Sequence, residues 1–284
     1  MADEIPAWLP RAFGLLGRVA PGLAARAAAE LLTRPGGRNP PQPWELEPPP
    51  VASRAVTLNG GLRALAWGET GPIILAQHDW RGRPTQFGRI AAALVARRCR
   101  LVALDAPGHG SSPGKRATPR LLADSLLVAA SGFAEIHAVI GHSLGGAAAA
   151  IALELGLHAR RLVMIGSPSR PSRFIAEYAE RMGLQQPARQ ALDRWFDAHA
   201  GRPAAELDPV CLRLGEEVEA LVVHDRQDDV IAVGEAQLLE PVWPRARFLY
   251  TSGLGHRDLL ADSVVVESIA AFLAGGESAA GRPA

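Results

Sequence analysis

Ala138-Val139-Ile140-Gly141-His142-Ser143-Leu144-Gly145-Gly146-Ala147-Ala148-Ala149-Ala150 is the stretch that decides the fold. A β-rich run, Ile136 to Ile140, stops at a glycine, and an alanine-rich helical run, Ser143 to Leu155, starts two residues later. Gly-x-Ser-x-Gly between a strand and a helix is the pattern of a sharp turn that holds a serine clear of a sheet. The glycines have a physical cause. Such a turn forces strained angles on the serine and brings neighbouring chain too close for β-carbons two residues before and after it. The helix that follows places its positive end beside the hydroxyl. Ser143 is therefore a candidate nucleophile.

A serine hydroxyl is a weak nucleophile near neutral pH, so it needs a base within reach and an acid to orient that base. Both residue types follow in chain order. After the β-rich Leu221 to Val223 comes His224-Asp225-Arg226-Gln227-Asp228-Asp229, and after Arg247 to Tyr250 comes Gly253-Leu254-Gly255-His256. Each candidate sits just past the C-terminal end of a strand, the side on which open α/β sheets bind ligands. His256 is the base; Asp225, Asp228 and Asp229 share the loop that supplies the acid.

Working outward, β-rich runs alternate with helical ones from Val56 onward, which predicts a parallel sheet covered by helices. The expected strands are Val56, Leu62 to Trp67, Ile73 to Ala76, Leu101 to Leu104, Ile136 to Ile140, Leu162 to Ile165, Leu221 to Val223 and Arg247 to Tyr250. Asn59-Gly60 between the first two predicts an antiparallel opening pair. Expected helices are Phe87 to Arg97, Pro119 to Ser131, Ser143 to Leu155, Glu235 to Leu239 and Ser263 to Leu273. The fold class is α/β: a mostly parallel eight-stranded sheet with helices on both faces and a small helical lid. The lid is the insertion at 169–217, whose helical runs open at Pro171, Pro187 and Pro203. The organisation expected is an N-terminal helical arm over 1–34, a Pro-rich linker over 35–52, a catalytic body over 53–275 and a loose Gly/Ser/Ala tail over 276–284. Residues 8–33 read as one amphipathic helix with arginines every seven or eight positions. Its plainer role is packing on the main body, and the alternative is a membrane-surface or partner-binding helix.

The chain has 284 residues and 48% hydrophobic side chains, enough for one large core. Thirty Lys and Arg nearly cancel 29 Asp and Glu, so no strong field gathers nucleic acid, and the substrate expected is small and neutral. Cys99 and Cys211 lie far apart, outside any disulfide or zinc spacing. With no signal-peptide core and no bilayer-length apolar run, a cytoplasmic location is expected. The sequence sets no oligomeric state.

The elbow at Ser143, the order Ser143, Asp228, His256, and two further segments, Gln77-His78-Asp79-Trp80 and Asp105-Ala106-Pro107-Gly108-His109-Gly110, resemble the α/β-hydrolase superfamily over about Val56 to Leu273. The resemblance implies that the acid lies four residues after the strand-ending histidine, which selects Asp228. It also implies that the backbone N–H groups of Trp80 and Leu144 hold an oxyanion. His78, His109, His142 and His224 belong to family turns, as structural or pocket-lining groups. In the lid, Phe174, Tyr178, Trp195 and Phe196 are candidates for the pocket wall, with plain packing as the alternative. The implied activity is hydrolysis of a small carboxylic ester, with no cofactor and no metal. Thioesterase, amidase, lactonase, carbon–carbon hydrolase and cofactor-free perhydrolase action use the same triad, and a silent ligand-binding protein is the non-enzyme alternative. Asp79 stands where the family usually has glycine. A carboxylate about 6 Å from a developing oxyanion would cost roughly 2.8 kcal/mol at an effective dielectric near 20. The expectation is therefore that Asp79 turns away and is held by Arg81, Arg83 or amides of its own loop.

Overall fold

The computed structural model describes residues 6–47 and 51–275. Three helices lead: α1 (Trp8–Val19), α2 (Pro21–Thr33) and the single turn α3 (Pro43–Leu46). The body follows as β1 (Arg54–Thr57), β2 (Arg63–Trp67), β3 (Ile73–Gln77), α4 (Gly88–Ala96), β4 (Arg100–Leu104), α5 (Pro119–Ala130), β5 (Ala138–His142), α6 (Leu144–Glu154) and β6 (Arg161–Ile165). An insertion holding α7 (Pro171–Arg181) and α8 (Ala188–Ala200) precedes β7 (Glu219–Asp225), α9 (Gly234–Gln237), β8 (Arg247–Thr251) and α10 (Ser263–Ala274). The expected tail at 276–284 lies outside the described residues.

The strands form one eight-stranded sheet in the order β1-β2-β4-β3-β5-β6-β7-β8. The turn at Asn59–Gly61 does open an antiparallel pair, Val56 opposite Ala64, and β2 is also antiparallel to β4. The other pairings are parallel. Both sheet faces are covered, and the side chains alternate between them with the period of two that strands impose. Leu75, Val102, Val139, Leu162 and Val222 pack with the side chains of α5 and α6. Ile74, Leu101, Ile140, Val163 and Leu221 pack on the other face with those of α4 and α10.

A third core lies outside the sheet and joins the N-terminal arm to the insertion. The single helix expected over 8–33 is broken into two. Ala20, at φ −140° and ψ 71°, leaves the helical region directly before Pro21, as residues before proline do. The arm packs on α7 and α8 rather than on the helices that cover the sheet. Ala24, Ala25, Ala28 and Ala29 of α2 and Phe13 of α1 are buried against Ala179, Met182, Ala188, Leu192 and Phe196. Alanines let the α2 and α8 backbones approach closely. The insertion is itself tied to the body, because Glu235 accepts from Ser169 N (3.0 Å), Ser169 Oγ (2.8 Å) and Arg170 N (3.0 Å). Of the prolines expected to open helices there, Pro171 is a first helical residue, whereas Pro187 and Pro203 sit one position earlier, as caps.

The turn at Ser143 packs at van der Waals limits. A β-carbon on Gly145 would lie 2.2 Å from the Gln77 carbonyl oxygen and 2.6 Å from that of His78. Gly145→Ala is therefore expected to lower unfolding free energy by about 1–3 kcal/mol. Gly234→Ala, where a β-carbon meets nothing within 4 Å, should leave stability unchanged or slightly raised. Urea denaturation of both variants checks the contrast.

Candidate active site

Ser143 is the buried junction between β5 and α6, with φ 53° and ψ −125°. Its amide donates to the Ile165 carbonyl at 2.8 Å, which ties it to the end of β6. The next residue, Gly166, has φ 51°, and a β-carbon there would lie 3.3 Å from both Asp228 Oδ2 and His256 Nδ1. Gly166 thus forms the floor that sets Asp228 and His256 beside the Ser143 turn. The glycine that ends β6 is the sequence signal for this floor, and the reading from sequence alone passed over it.

His256 Nδ1 lies 2.7 Å from Asp228 Oδ2, with both side chains buried. A carboxylate can only accept here, so Nδ1 carries the proton and Nε2 is left with its lone pair. Asp228 is oriented in turn: its Oδ1 accepts from Val230 N (2.9 Å) and Ile231 N (2.8 Å). Behind it His224 Nε2 donates to the Ile231 carbonyl at 2.8 Å. Burial alone would raise the Asp228 carboxyl, but the hydrogen bond to His256 and the loop amides bring it below its ordinary value. Burial pushes His256 below the ordinary histidine value, with Asp228 opposing and His142 adding to the shift. The neighbouring acids do other things. Asp225 accepts from Gln227 N, Thr251 Oγ1 and Leu254 N at 2.9, 2.7 and 3.1 Å, which laces the loop after β7 to the loop after β8, while Asp229 is exposed.

The segment after β3 is fixed atom by atom. His78 Nε2 accepts from Ala106 N at 3.0 Å, so its Nδ1 carries the proton and donates to the Asp79 carbonyl at 2.7 Å. Gly82 N donates to the same carbonyl at 3.1 Å. His109 repeats the arrangement, its Nε2 accepting from Arg81 N at 2.9 Å and its Nδ1 donating to the Pro107 carbonyl at 3.1 Å. Burial and the nearby His78 push His109 down to about 4, so it stays neutral. Two residues of the linker complete the frame and carried no sequence signal. Asn39 Nδ2 donates to the Trp80 carbonyl at 3.1 Å and Asn39 N to the Arg81 carbonyl at 2.8 Å. Arg38 Nη2 bonds both oxygens of Asp105 at 2.6 and 2.7 Å.

Asp79 is 4% exposed, and its neighbours differ from those expected. Arg83 points to the Asn39 carbonyl and Glu45, and Arg81 Nε donates to the Gly37 carbonyl. What faces Asp79 is His142, whose Nδ1 lies 3.9 Å from Oδ1, beyond hydrogen-bond distance, while its Nε2 donates to the His256 carbonyl at 2.9 Å. Burial raises the Asp79 carboxyl, but His142, His78 and His256 outweigh it and hold it at about 2.

Three of the four aromatics named in the insertion take the packing role. Tyr178, Trp195 and Phe196 pack with the N-terminal arm, and Phe174 is exposed. Helical spacing in a short insertion served packing, because the arm offered an apolar surface to cover. Phe196 also borders a small cavity of about 30 Å³ with Ile151, Pro171, Ile175 and Leu207, whose lining includes none of Ser143, Asp228 and His256. Among the described residues, no three His, Cys, Asp or Glu side chains converge as a metal site, and no helix is long and apolar enough to cross a membrane.

The sheet order, the turn at Ser143 and the His256–Asp228 pair define an α/β-hydrolase scaffold. A model of the alpha/beta hydrolase family matches residues 60–276, most of the chain, and the chain belongs to that family. A search of curated proteins found no match. Among solved structures, the chain is similar to an esterase from Rhodococcus sp. ECU1013 at 20% identity and a TM-score of 0.54, covering 78% of this chain and 98% of that one. It is similar to a monoacylglycerol lipase from Paleococcus ferrophilus at 16% identity and a TM-score of 0.57, covering 75% and 98%. A putative lipase from Acinetobacter baumannii AYE matches at 17% identity and a TM-score of 0.57, covering 96% and 98%.

The Asp79 environment has a consequence for stability. Its folded-state pKa, about 2, lies below the ordinary aspartate value of about 3.9. A depressed folded pKa contributes stability above the ordinary value, and that contribution is lost as pH falls through the folded one. The stability advantage of the native chain over Asp79→Asn is therefore expected to shrink from pH 5 to pH 3, read by urea unfolding. An advantage constant across that range would show that the histidines do not hold the carboxylate.

Proposed function

We propose that the chain is a serine hydrolase that cleaves small carboxylic esters through an acyl-enzyme. The observation that carries this reading is the buried His256–Asp228 pair, 2.7 Å apart, beside the strained turn of Ser143. In this reading Ser143 Oγ attacks the ester carbonyl and His256 Nε2 takes its proton. The tetrahedral intermediate collapses, the carbon–oxygen bond to the alcohol breaks, and His256 returns the proton to the leaving oxygen. Water, deprotonated by the same Nε2, then cleaves the acyl-serine. Asp228 keeps Nδ1 protonated and favours the imidazolium formed in each step. The downward shift of His256 keeps it neutral, and so able to act as base, near neutral pH.

Trp80 and Leu144 amides serve as the oxyanion donors. Among the described residues neither has an acceptor. The Trp80 N–H shares a planar peptide with the Asp79 carbonyl, and that carbonyl is held by His78 Nδ1 and Gly82 N. Fixing one end of the peptide fixes the other, which is the preorganisation such a donor requires. That an esterase, a monoacylglycerol lipase and a thioesterase domain share the fold agrees with acyl transfer, and esters are the plainest substrate for this triad.

Ser143→Ala, His256→Ala and Asp228→Asn are each expected to lower kcat on p-nitrophenyl esters by about 10⁴-fold or more with the fold intact. Asp225→Asn should instead act mainly on stability. Retention of near-native turnover by the serine or histidine variant would overturn the reading. Labelling of Ser143 by a fluorophosphonate separates a hydrolase from a silent binder, which would not be modified. The acid limb of kcat/KM, reporting protonation of His256, is expected below the ordinary histidine value of about 6.5, and a pH profile from 4 to 9 locates it.

A further inference from the structure

Helix α1 has two apolar faces, and among the described residues only one has a partner. Leu9, Phe13 and Gly17 face α2 and the insertion. On the opposite side Trp8, Ala12, Leu15 and Val19 follow at helical spacing into solvent, with Trp8 and Leu15 65% exposed and Val19 87%. Leu16 flanks this stripe, and on α2 Leu23, Ala27 and Leu31 repeat the pattern on the exposed side. Six of the thirteen large apolar side chains exposed among the described residues lie on these two helices. Such concentration on one element is what single, scattered surface hydrophobics do not show.

The charges select the occupant. Arg11 and Arg18 border the α1 stripe and Arg26 borders that of α2; all three are exposed and make no ion pair among the described residues. Residues 1–34 carry four arginines, Arg34 included, against Asp3, Glu4 and Glu30, and from α1 to the end of α2 the arginines outnumber the single acid Glu30. An apolar stripe containing tryptophan and edged by unpaired arginines matches the boundary between acyl chains and anionic headgroups. We propose that α1 and α2 form a docking surface for an anionic lipid bilayer, on which the arm lies flat. The arm's other face is packed on the insertion that follows β6, at the sheet end that carries Ser143, Asp228 and His256. Docking through α1 therefore brings the catalytic end of the sheet to the lipid surface. The surface goes beyond the ester reading and does not depend on it, since binding can be measured with Ser143→Ala.

The test uses the full chain and sedimented vesicles of phosphatidylcholine, either alone or with about one third phosphatidylglycerol. Binding is expected to the mixed vesicles, weaker to the neutral ones, and weakened further by about 0.5 M salt. Leu15→Ser with Val19→Ser, both solvent-facing, should lower vesicle affinity about tenfold or more, while melting temperature and turnover of a soluble ester stay unchanged. Arg11→Glu with Arg18→Glu should abolish the preference for anionic lipid. Absence of binding by the native chain, or affinity untouched by the Leu15/Val19 pair, overturns the proposal. So does a native dimer in sedimentation velocity that the same pair dissociates, which would assign the stripe to a second copy of the chain.

Discussion

The backbone of Ser143, at φ 53° and ψ −125°, is the constraint on which the rest of the site depends. A side chain in that region costs on the order of 1–3 kcal/mol, so the surroundings must hold it there. They do so with Ser143 N bonded to the Ile165 carbonyl at 2.8 Å and Gly146 N bonded to the Ser143 carbonyl at 3.0 Å. The turn is possible only where side chains are missing. A β-carbon on Gly141 would lie 2.2 Å from the Gly145 oxygen, and one on Gly146 would lie 2.0 Å from Ser167 Oγ. Those contacts also carry the turn's position outward. Gly145 rests on the end of β3 and Gly146 on the loop after β6, so one strained residue sets the spacing of the two loops that flank it.

A loop as buried as 78–82 has to satisfy its own backbone groups, and the chain does this with rigid imidazole rings. His78 and His109 each accept one backbone N–H and donate to one backbone carbonyl, so each acts as a strut of fixed length between two segments. The strand-side struts meet a strap from the other direction. Arg38 and Asn39 reach Asp105, Trp80 and Arg81 from the segment that follows α2. The N-terminal arm is thereby linked covalently and by hydrogen bonds to the loop that carries the Trp80 amide.

The sheet was legible in the sequence because its signals are local: short β-rich runs, a hairpin turn at Asn59-Gly60, and glycines placed where chains cross. That acid and base come from the loops after the seventh and eighth strands was legible for the same reason, whereas the choice of Asp228 over Asp225 and Asp229 came only from the resemblance to the α/β-hydrolase superfamily. What was hidden depends on tertiary choice. Nothing at Asn39 or Arg38 distinguishes them from other polar residues of a Pro-rich segment until the fold brings them to Trp80 and Asp105. The role of the insertion's aromatics stayed open between pocket wall and packing because periodicity shows which face of a helix is apolar but not what covers it. Here the cover is the arm, whose poly-alanine face on α2 gave little hydrophobic contrast to reveal the match. The break at Ala20 was visible in principle, since Pro21 directly follows it, but the arginine spacing on both sides of it suggested one continuous helix.

Asp79 shows how one residue's volume and charge are accommodated together. A buried carboxylate is costly unless it is paired, and neither Arg81 nor Arg83 is what faces it. Its side chain instead fills the space beside Gly82, where a β-carbon would lie 1.8 Å from Asp79 Oδ1 and 2.6 Å from Gln86 Oε1. The absence of a side chain at 82 is therefore what makes an aspartate at 79 sterically possible. Its carboxylate faces His142 Nδ1 at 3.9 Å, and the same ring holds the backbone of His256 through Nε2. His256 thus stands between two carboxylates with different geometry: Asp228 in direct contact at Nδ1, and Asp79 behind the ring of His142, itself 4.7 Å from the His256 ring between centroids. The nearer one sets the tautomer and orientation of His256. The farther one acts on His256 only through space and through the His142 ring, so its negative charge favours a protonated His256 without competing for the hydrogen bond that Asp228 makes.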